Sequence, residues 1–268
     1  MQQPEPFIVE KKNGIAWLTL NRPEKHNAMD LDFFAVLPQH LQHLTDAIDV
    51  RVVVIKGAGN SFTAGTDLSS AAEMVAGGAA DERWNLQRNI LALQAGISAV
   101  ENCGKPVIAA IHGYCIGGGV DLICACDIRI AEKSALFGIR ETPMGIIADL
   151  GTLQRLPRII GEGHARELAF SGRDFSAAEA YEMGLVTRVC EGRENLYDTA
   201  DTLARQIADN PPLTVMGVKE VMNYSRDHGV EAGLRYVAQK NAAMLLSEDL
   251  AEALAAFREK RKPHFKGK

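Results

Sequence analysis

Two hydrophobic periodicities alternate along the chain. Short apolar runs rich in branched residues predict strands at "GIAWLTL" (14–20), "RVVVIKG" (51–57) and "KPVIAAIHG" (105–113). Shorter strands are predicted at "CDIRIA", "SALFGI" and "GLVTRVC", the last near 184–190. Between them, apolar positions recur at helical spacing. Asp30 is placed to cap a helix reaching about Ile48, a second helix spans about Asp81 to Val100, and a short one begins at the glycines near 117. Strands separated by helices predict an α/β fold with parallel pairing. The unbroken apolar character of "VVVI" and "VIAAI" fits strands covered on both faces.

The pattern changes after residue 192. Helical stretches follow at about 194–209, 213–227, 230–246 and 248–261, broken at Asn210-Pro211-Pro212. The chain thus divides into a core, 1–192, and a helical C-terminal subdomain, 193–268. Apolar faces on those helices (Leu234, Val237, Leu245, Leu250, Phe257) predict packing on the core or on a neighbouring subunit. The Gly-, Ala- and Ser-rich segment 63–83 reads as a mobile loop near a site or as an ordinary surface connection.

Composition narrows the function classes. With 47% hydrophobic residues, 24% charged residues and a net charge of −5, the chain matches a globular protein and does not invite nucleic acid as a partner. No apolar stretch reaches membrane length, so no membrane association is expected. The N-terminal residues lack a secretory h-region and "FKGK" is not a peroxisomal tripeptide, which leads to an expected cytoplasmic location. The five cysteines are too few for a disulfide scaffold and read as reduced core thiols. Cys124-x-Cys126 has no second Cys/His pair at ligand spacing, so no metal is expected. Trp17 and Trp84 read as packing groups, and His112 as a structural hydrogen-bonding residue.

Chemistry gathers at two strand-to-loop junctions. "HGYCIGGG" (112–119) leads from a strand into a helix, where free N–H groups can face an anion or oxyanion. Close helix–strand packing would also account for its glycines. "NSFTAGTDL" (60–68) is a second such junction, and together the two can supply two donors.

With "NRPEKHNAMD" (21–30), "FTAGTDL" (62–68), "HGYCIGGGVDL" (112–122), "GTLQRLPRIIG" (151–161), "FSGRDFSAAEAYEMGLVTRV" (170–189) and "FREKRKPHF" (257–265), the chain resembles the crotonase superfamily of enoyl-CoA hydratases and isomerases over nearly its whole length. The resemblance implies a spiral of ββα repeats, an acyl-CoA thioester substrate that carries its own coenzyme A with no separate cofactor, and trimers or hexamers. It implies that the amides of Thr66 and Gly118 hold the thioester oxygen. Arg22, Lys25, Ala28, Ala64, Asp67 and Leu68 would line the CoA groove. Phe257 and Lys260 would reach CoA on this subunit or an adjacent one.

The family's hydratases position water with two glutamates, and here those positions match Asp121 and Glu141. Where hydratases usually carry a glycine, "IIADLGT" places a third acid, Asp149. This trio resembles that of the Δ3,5-Δ2,4-dienoyl-CoA isomerases. Moving two conjugated double bonds toward the thioester removes a proton at C2 and adds one at C6, which two groups on either flank of the acyl chain can serve. Asp149 is assigned to C2 and Glu141 to C6, an assignment that can be exchanged, with Asp121 modulating the pair. Clustered acids should raise at least one pKa. The alternative function is an enoyl-CoA hydratase using Asp121 and Glu141. Structural alternatives are Asp149 as a helix N-cap, Asp121 paired with Arg129 or Arg140, and a solvated Glu141. A non-catalytic member binding RNA or protein is the remaining alternative, disfavoured by the acidic balance and by the three acids.

Overall fold

The computed structural model describes residues 5–69 and 79–268; residues 70–78 of the expected loop at 63–83 lie outside them. The predicted strands, with two that the sequence reading did not give, Phe7–Lys12 and the short Asp174–Ser176, form one six-stranded sheet and one three-stranded sheet. In the large sheet, β2 (Ile15–Leu20), β3 (Val52–Gly57), β4 (Val107–Ile111), β6 (Ile128–Glu132) and β9 (Arg188–Cys190) run parallel in that order. At its edge lies an antiparallel strand absent from the sequence reading, β1 (Phe7–Lys12). The small sheet joins β5 (Tyr114–Ile116), β7 (Leu136–Gly138) and β8 (Asp174–Ser176).

The predicted strand at 105–113 is thus interrupted. β4 ends at Ile111, and Gly113, at φ +57, lets β5 leave for the other sheet. The pair β6–β7 repeats that crossing. The coils of β4–β5 and β6–β7 therefore each contribute one strand to each sheet, in keeping with the expected spiral.

Successive residues of the central strands face opposite layers. Ala16, Leu18, Val53, Ile55, Val107 and Ala109 join the main core, where α1 (Leu31–Asp46) supplies Leu37, Leu41 and Leu44, and α2 (Ala80–Asn102) supplies Leu93, Ile97 and Val100. Val52, Val54, Ile108, Ala110 and Ile130 face the other way. They meet Leu196, Ala200, Ala204 and Ala208 of α7 (Gly192–Ala208), whose four-residue spacing lays one narrow stripe on the sheet. Asp30 caps α1 as expected, its Oδ1 accepting from Phe33 N at 2.9 Å.

Between these layers come the short α3 (Gly118–Cys124), then α4 (Thr152–Ile160), α5 (Glu162–Ser171) and α6 (Ala177–Glu182). The C-terminal helices are α8 (Pro212–His228), α9 (Val230–Met244) and α10 (Glu248–Glu259). α8 is fastened to the core by Lys219, whose Nζ donates to Asp127 Oδ2 at 2.7 Å and to Lys105 O at 3.1 Å. All five cysteines are free and buried. Trp17 packs edge-on to Tyr197. Trp84 does not pack: it is 64% exposed, because it lies in the first, solvent-facing turns of α2.

Candidate active site

The first junction is held by a bridge. Met29 N donates to Gly65 O and Asp67 N donates to Met29 O, both at 2.8 Å, pairing Met29 with Thr66. In such parallel pairing the central residue's own N–H points away from the partner. Thr66 therefore turns its amide away from Met29.

The second junction lies against the first. Gly117, at φ 55 and ψ −122, turns the chain into α3, so Gly118 is the first helical residue and its amide has no intrahelical acceptor. A side chain at Gly118 would place its Cβ 3.4 Å from Thr66 N, and one at Gly65 would stand 3.2 Å from Gly118 N. The two amides sit on touching segments, and among the described residues neither has an acceptor.

Two of the acids, Asp121 and Glu141, lie beside the second junction, and Asp149 stands further along the chain. Asp121, one turn into α3, is 1% exposed, and its Oδ1 accepts from Thr152 N at 2.6 Å. It thereby satisfies a free amide at the start of α4. Burial pushes its pKa up to about 6, with the nearby negative charge of Asp149 acting in the same sense. Neither Arg129 nor Arg140 pairs with it: Arg129 donates to the carbonyls of Leu185, Ile123 and Cys126, and Arg140 pairs with Asp174.

Glu141 follows β7 and opens a 3-10 turn, Thr142–Met144. Thr142 Oγ1 anchors that turn to Ala169 O at 2.6 Å. Glu141 is only partly exposed. A Cβ at Gly117 would lie 3.3 Å from Glu141 Oε1, while Oε2 is buried and has no hydrogen-bond partner among the described residues. Burial and the charges of Asp121 and Asp149 raise Glu141 to about 7. An unsatisfied carboxylate oxygen is costly in a folded interior and marks a place for a ligand or proton.

Asp149 is half-buried, and desolvation raises its pKa. Its carbonyl accepts from Gln94 Nε2 at 2.6 Å. It is not a helix cap, because α4 begins at Thr152 with Gly151 as N-cap. A cleft of about 1280 Å3 lined by Gln94, Asp149, Arg155 and Lys219, among others, reaches Asp149 and none of the other four candidates. The three acids thus share one electric field, while the amides and Glu141 lie outside that cleft.

The groove residues also assemble. Arg22 Nη1 donates to Ala28 O at 2.6 Å, its Nη2 lies 3.3 Å from Asp67 Oδ2, and Lys25 Nζ lies 3.4 Å from the same oxygen. Hydrogen bonds from Ser69, then Lys25, hold Asp67 down at about 2. Ala64 N donates to His26 O, and Ala64 and Leu68 face solvent. Phe257 and Lys260 are exposed at the end of α10, and no hydrogen bond or ion pair among the described residues joins them to this groove.

Three supporting residues escaped the sequence reading. Gln94 and the Thr152 amide lie in helices whose patterns carry no chemical signature. Asn27 sits inside "NRPEKHNAMD" but is 2% exposed and turns inward, donating to the carbonyls of Ala58, Ser61 and Phe62. His112 is structural as expected, buried with Nε2 3.2 Å from Gly59 O.

Comparison with known proteins agrees with this geometry. Residues 10–268 match the family model described as enoyl-CoA hydratase/isomerase. The chain is 48% identical to the peroxisomal Delta(3,5)-Delta(2,4)-dienoyl-CoA isomerase of Arabidopsis thaliana, over 99% of this chain and 98% of that protein. It is 42% identical to the mitochondrial Delta(3,5)-Delta(2,4)-dienoyl-CoA isomerase of Mus musculus, over 95% of this chain and 79% of that protein. A crystal structure of enoyl-CoA hydratase from Bacillus anthracis superposes with a TM-score of 0.90 at 35% identity, covering 98% of this chain and 100% of that one. The two touching amide turns, the spiral that builds them and these full-length matches converge: the chain belongs to the enoyl-CoA hydratase/isomerase family, within the crotonase superfamily.

Proposed function

We propose that the chain isomerises a 3,5-dienoyl-CoA to the 2,4-dienoyl-CoA. The observation that carries the reading is the third acid: burial raises the pKa of both Asp121 and Glu141, the charge of Asp149 adds to it, and so acid and base carboxyl groups are both available for a proton shift. The identity to relatives named as dienoyl-CoA isomerases supports it.

In this reading Thr66 N and Gly118 N donate to the thioester oxygen. Asp149, ionised, removes the C2 proton, and charge collects on that oxygen as an extended, fully conjugated enolate that keeps both original double bonds. A single such donor is worth about 3–4 kcal/mol of barrier. Glu141, protonated near neutral pH, delivers a proton to C6, and the double bonds settle at C2 and C4. Asp121 sets the proton affinity of Glu141 through its charge. Arg22, Lys25, Ala28, Ala64, Asp67 and Leu68 receive the CoA moiety, with Phe257 and Lys260 added from the same or a neighbouring subunit of a trimer or a hexamer. The helices of 193–268 form the subunit contacts; α8 and α9 bury only Lys219 and Gly233 within the chain, which favours a partner on their apolar positions. The expected compartment is the cytoplasm; the five free thiols fit a reducing milieu, although relatives carry peroxisomal and mitochondrial names. Among the described residues no helix is long and apolar enough to cross a membrane.

One spectrophotometric assay tests the reaction. A 3,5-dienoyl-CoA should gain the absorbance of the conjugated 2,4-dienoyl thioester. An inert 3,5-diene with rapid loss of crotonyl-CoA absorbance would instead assign the chain to hydration.

A further inference from the structure

Both amide turns converge on one buried side chain that no part of the proposed chemistry uses. Thr63 is 0% exposed. Its backbone ties the first turn to β5: Thr63 N donates to Tyr114 O at 2.9 Å, and Ile116 N donates to Thr63 O at 3.2 Å. Its hydroxyl donates to Asn27 O at 2.7 Å and accepts from Gly65 N at 3.1 Å, so its one proton and an acceptor lone pair are both engaged. Its methyl lies against the second turn, since a Cβ at Gly119 would come 2.6 Å from Thr63 Cγ2. One residue therefore grips the backbone just before Thr66 with its oxygen and the residue just after Gly118 with its methyl. The fixed Asn27, which donates to three carbonyls of the same loop, anchors the far end of the chain of bonds.

We infer that Thr63 is a positioning residue that sets the spacing of the Thr66 and Gly118 amides, and thereby the polarisation of the bound thioester carbonyl. The inference rests on the proposed role of those amides. Asn27 O and Gly65 N are the two groups that Thr63→Val would leave unpaired while keeping the side chain's shape. Gly65 would then be released against Ile116 O, where there is no slack: a Cβ on Gly65 would stand 2.5 Å from that oxygen. Thr63→Ser keeps the hydroxyl and loses only the methyl, and Thr63→Cys offers a longer, weaker bond in the same space.

The test reads the carbonyl directly. A 2,4-dienoyl-CoA absorbs further to the red when its carbonyl is polarised, so the shift on binding reports the two donors, which a merely structural role would not move. Thr63→Val should lose most of the red shift and about 10²-fold in kcat, the scale of an ångström-sized misplacement, with KM within about twofold because CoA contacts are untouched. Thr63→Ser, which keeps the hydroxyl bonds, should recover most of both readouts, the remaining deficit reporting the lost methyl contact at Gly119, and Thr63→Cys should lie between Val and Ser; if Thr63→Val fails to fold, the Ser–Cys difference decides. Red shift and kcat equal to wild type in the folded Val variant, or in the Cys variant where Val does not fold, would overturn the positioning role. A wild-type red shift without isomerisation would overturn the reaction and leave Thr63 standing. Absence of both in the wild type would overturn both.

Discussion

Glu141 holds the balance of the proposed chemistry. Its pKa of about 7 belongs to a group whose charged form is disfavoured by burial and by two neighbouring acids. A general acid must be protonated to act, so kcat/KM should fall as pH rises through about 7. Loss on the acid side follows protonation of Asp149, whose pKa is raised above the ordinary aspartate value. Asp121→Asn removes a negative charge that raises Glu141 while keeping an oxygen for Thr152 N. Glu141 should then release its proton more readily, and the alkaline limb should move to lower pH. A pH profile of the variant checks this; an unmoved limb would detach Asp121 from Glu141. Asp149→Asn should lower kcat about 10²–10⁴-fold, the range for losing a positioned proton-transfer group, while CoA-ligand thermal shifts stay unchanged. Unchanged turnover would remove Asp149 from the reaction.

The elements carry the site through backbone geometry more than through side chains. Gly65 is the critical case, with φ +89 and Ile116 O standing 2.5 Å from where a Cβ would be. Gly65→Ala meets both a left-handed backbone angle and a main-chain collision, with a stability cost of about 1–3 kcal/mol and a larger loss of activity as the turns separate. Urea denaturation and steady-state rates on the same preparation give both numbers. At this scale the sequence was readable where one face or one cap decided the outcome. Asp30 announced α1, and the continuous apolar runs announced β3 and β4, because those signals are local. β1 was not legible, since "FIVEKK" leaves all but its first residue at least partly exposed at a sheet edge and reads as polar. α4 was legible as a helix starting near Leu150, but its start was not: it begins at Thr152 behind Gly151, with buried Thr152, Leu156 and Ile160 keeping a four-residue spacing around Pro157. The acids were nominated by resemblance and a raised pKa among them was expected from their clustering; which groups are raised, and how far, was not legible, because that depends on burial that no spacing reports.

Across the whole molecule, α8 is seated on the core through polar contacts of Lys219, Asn223, Arg226 and Asp227. Lys219 is 8% exposed and links α8 to Asp127, whose other duty is to accept from Val107 N at the start of β4. Lys219→Ala leaves Asp127 with half its partners and should destabilise by about 3 kcal/mol, the lower end for breaking a buried pair because Asp127 keeps some solvent. Chemical denaturation measures the loss, and size-exclusion with light scattering on the same variant shows whether assembly depends on how α8 is seated.

The strands that leave one sheet for the other have an evolutionary reach. In the proposed reading the carbonyl clamp is made where the coil of β3 touches the coil of β4 and β5, whereas the proposed proton carriers, Glu141 and Asp149, hang from later stretches, after β7 and before α4. Because the two halves are encoded in separate segments and meet only in space, a lineage can rewrite which atoms of the acyl tail are protonated, one acid at a time, and inherit the clamp intact.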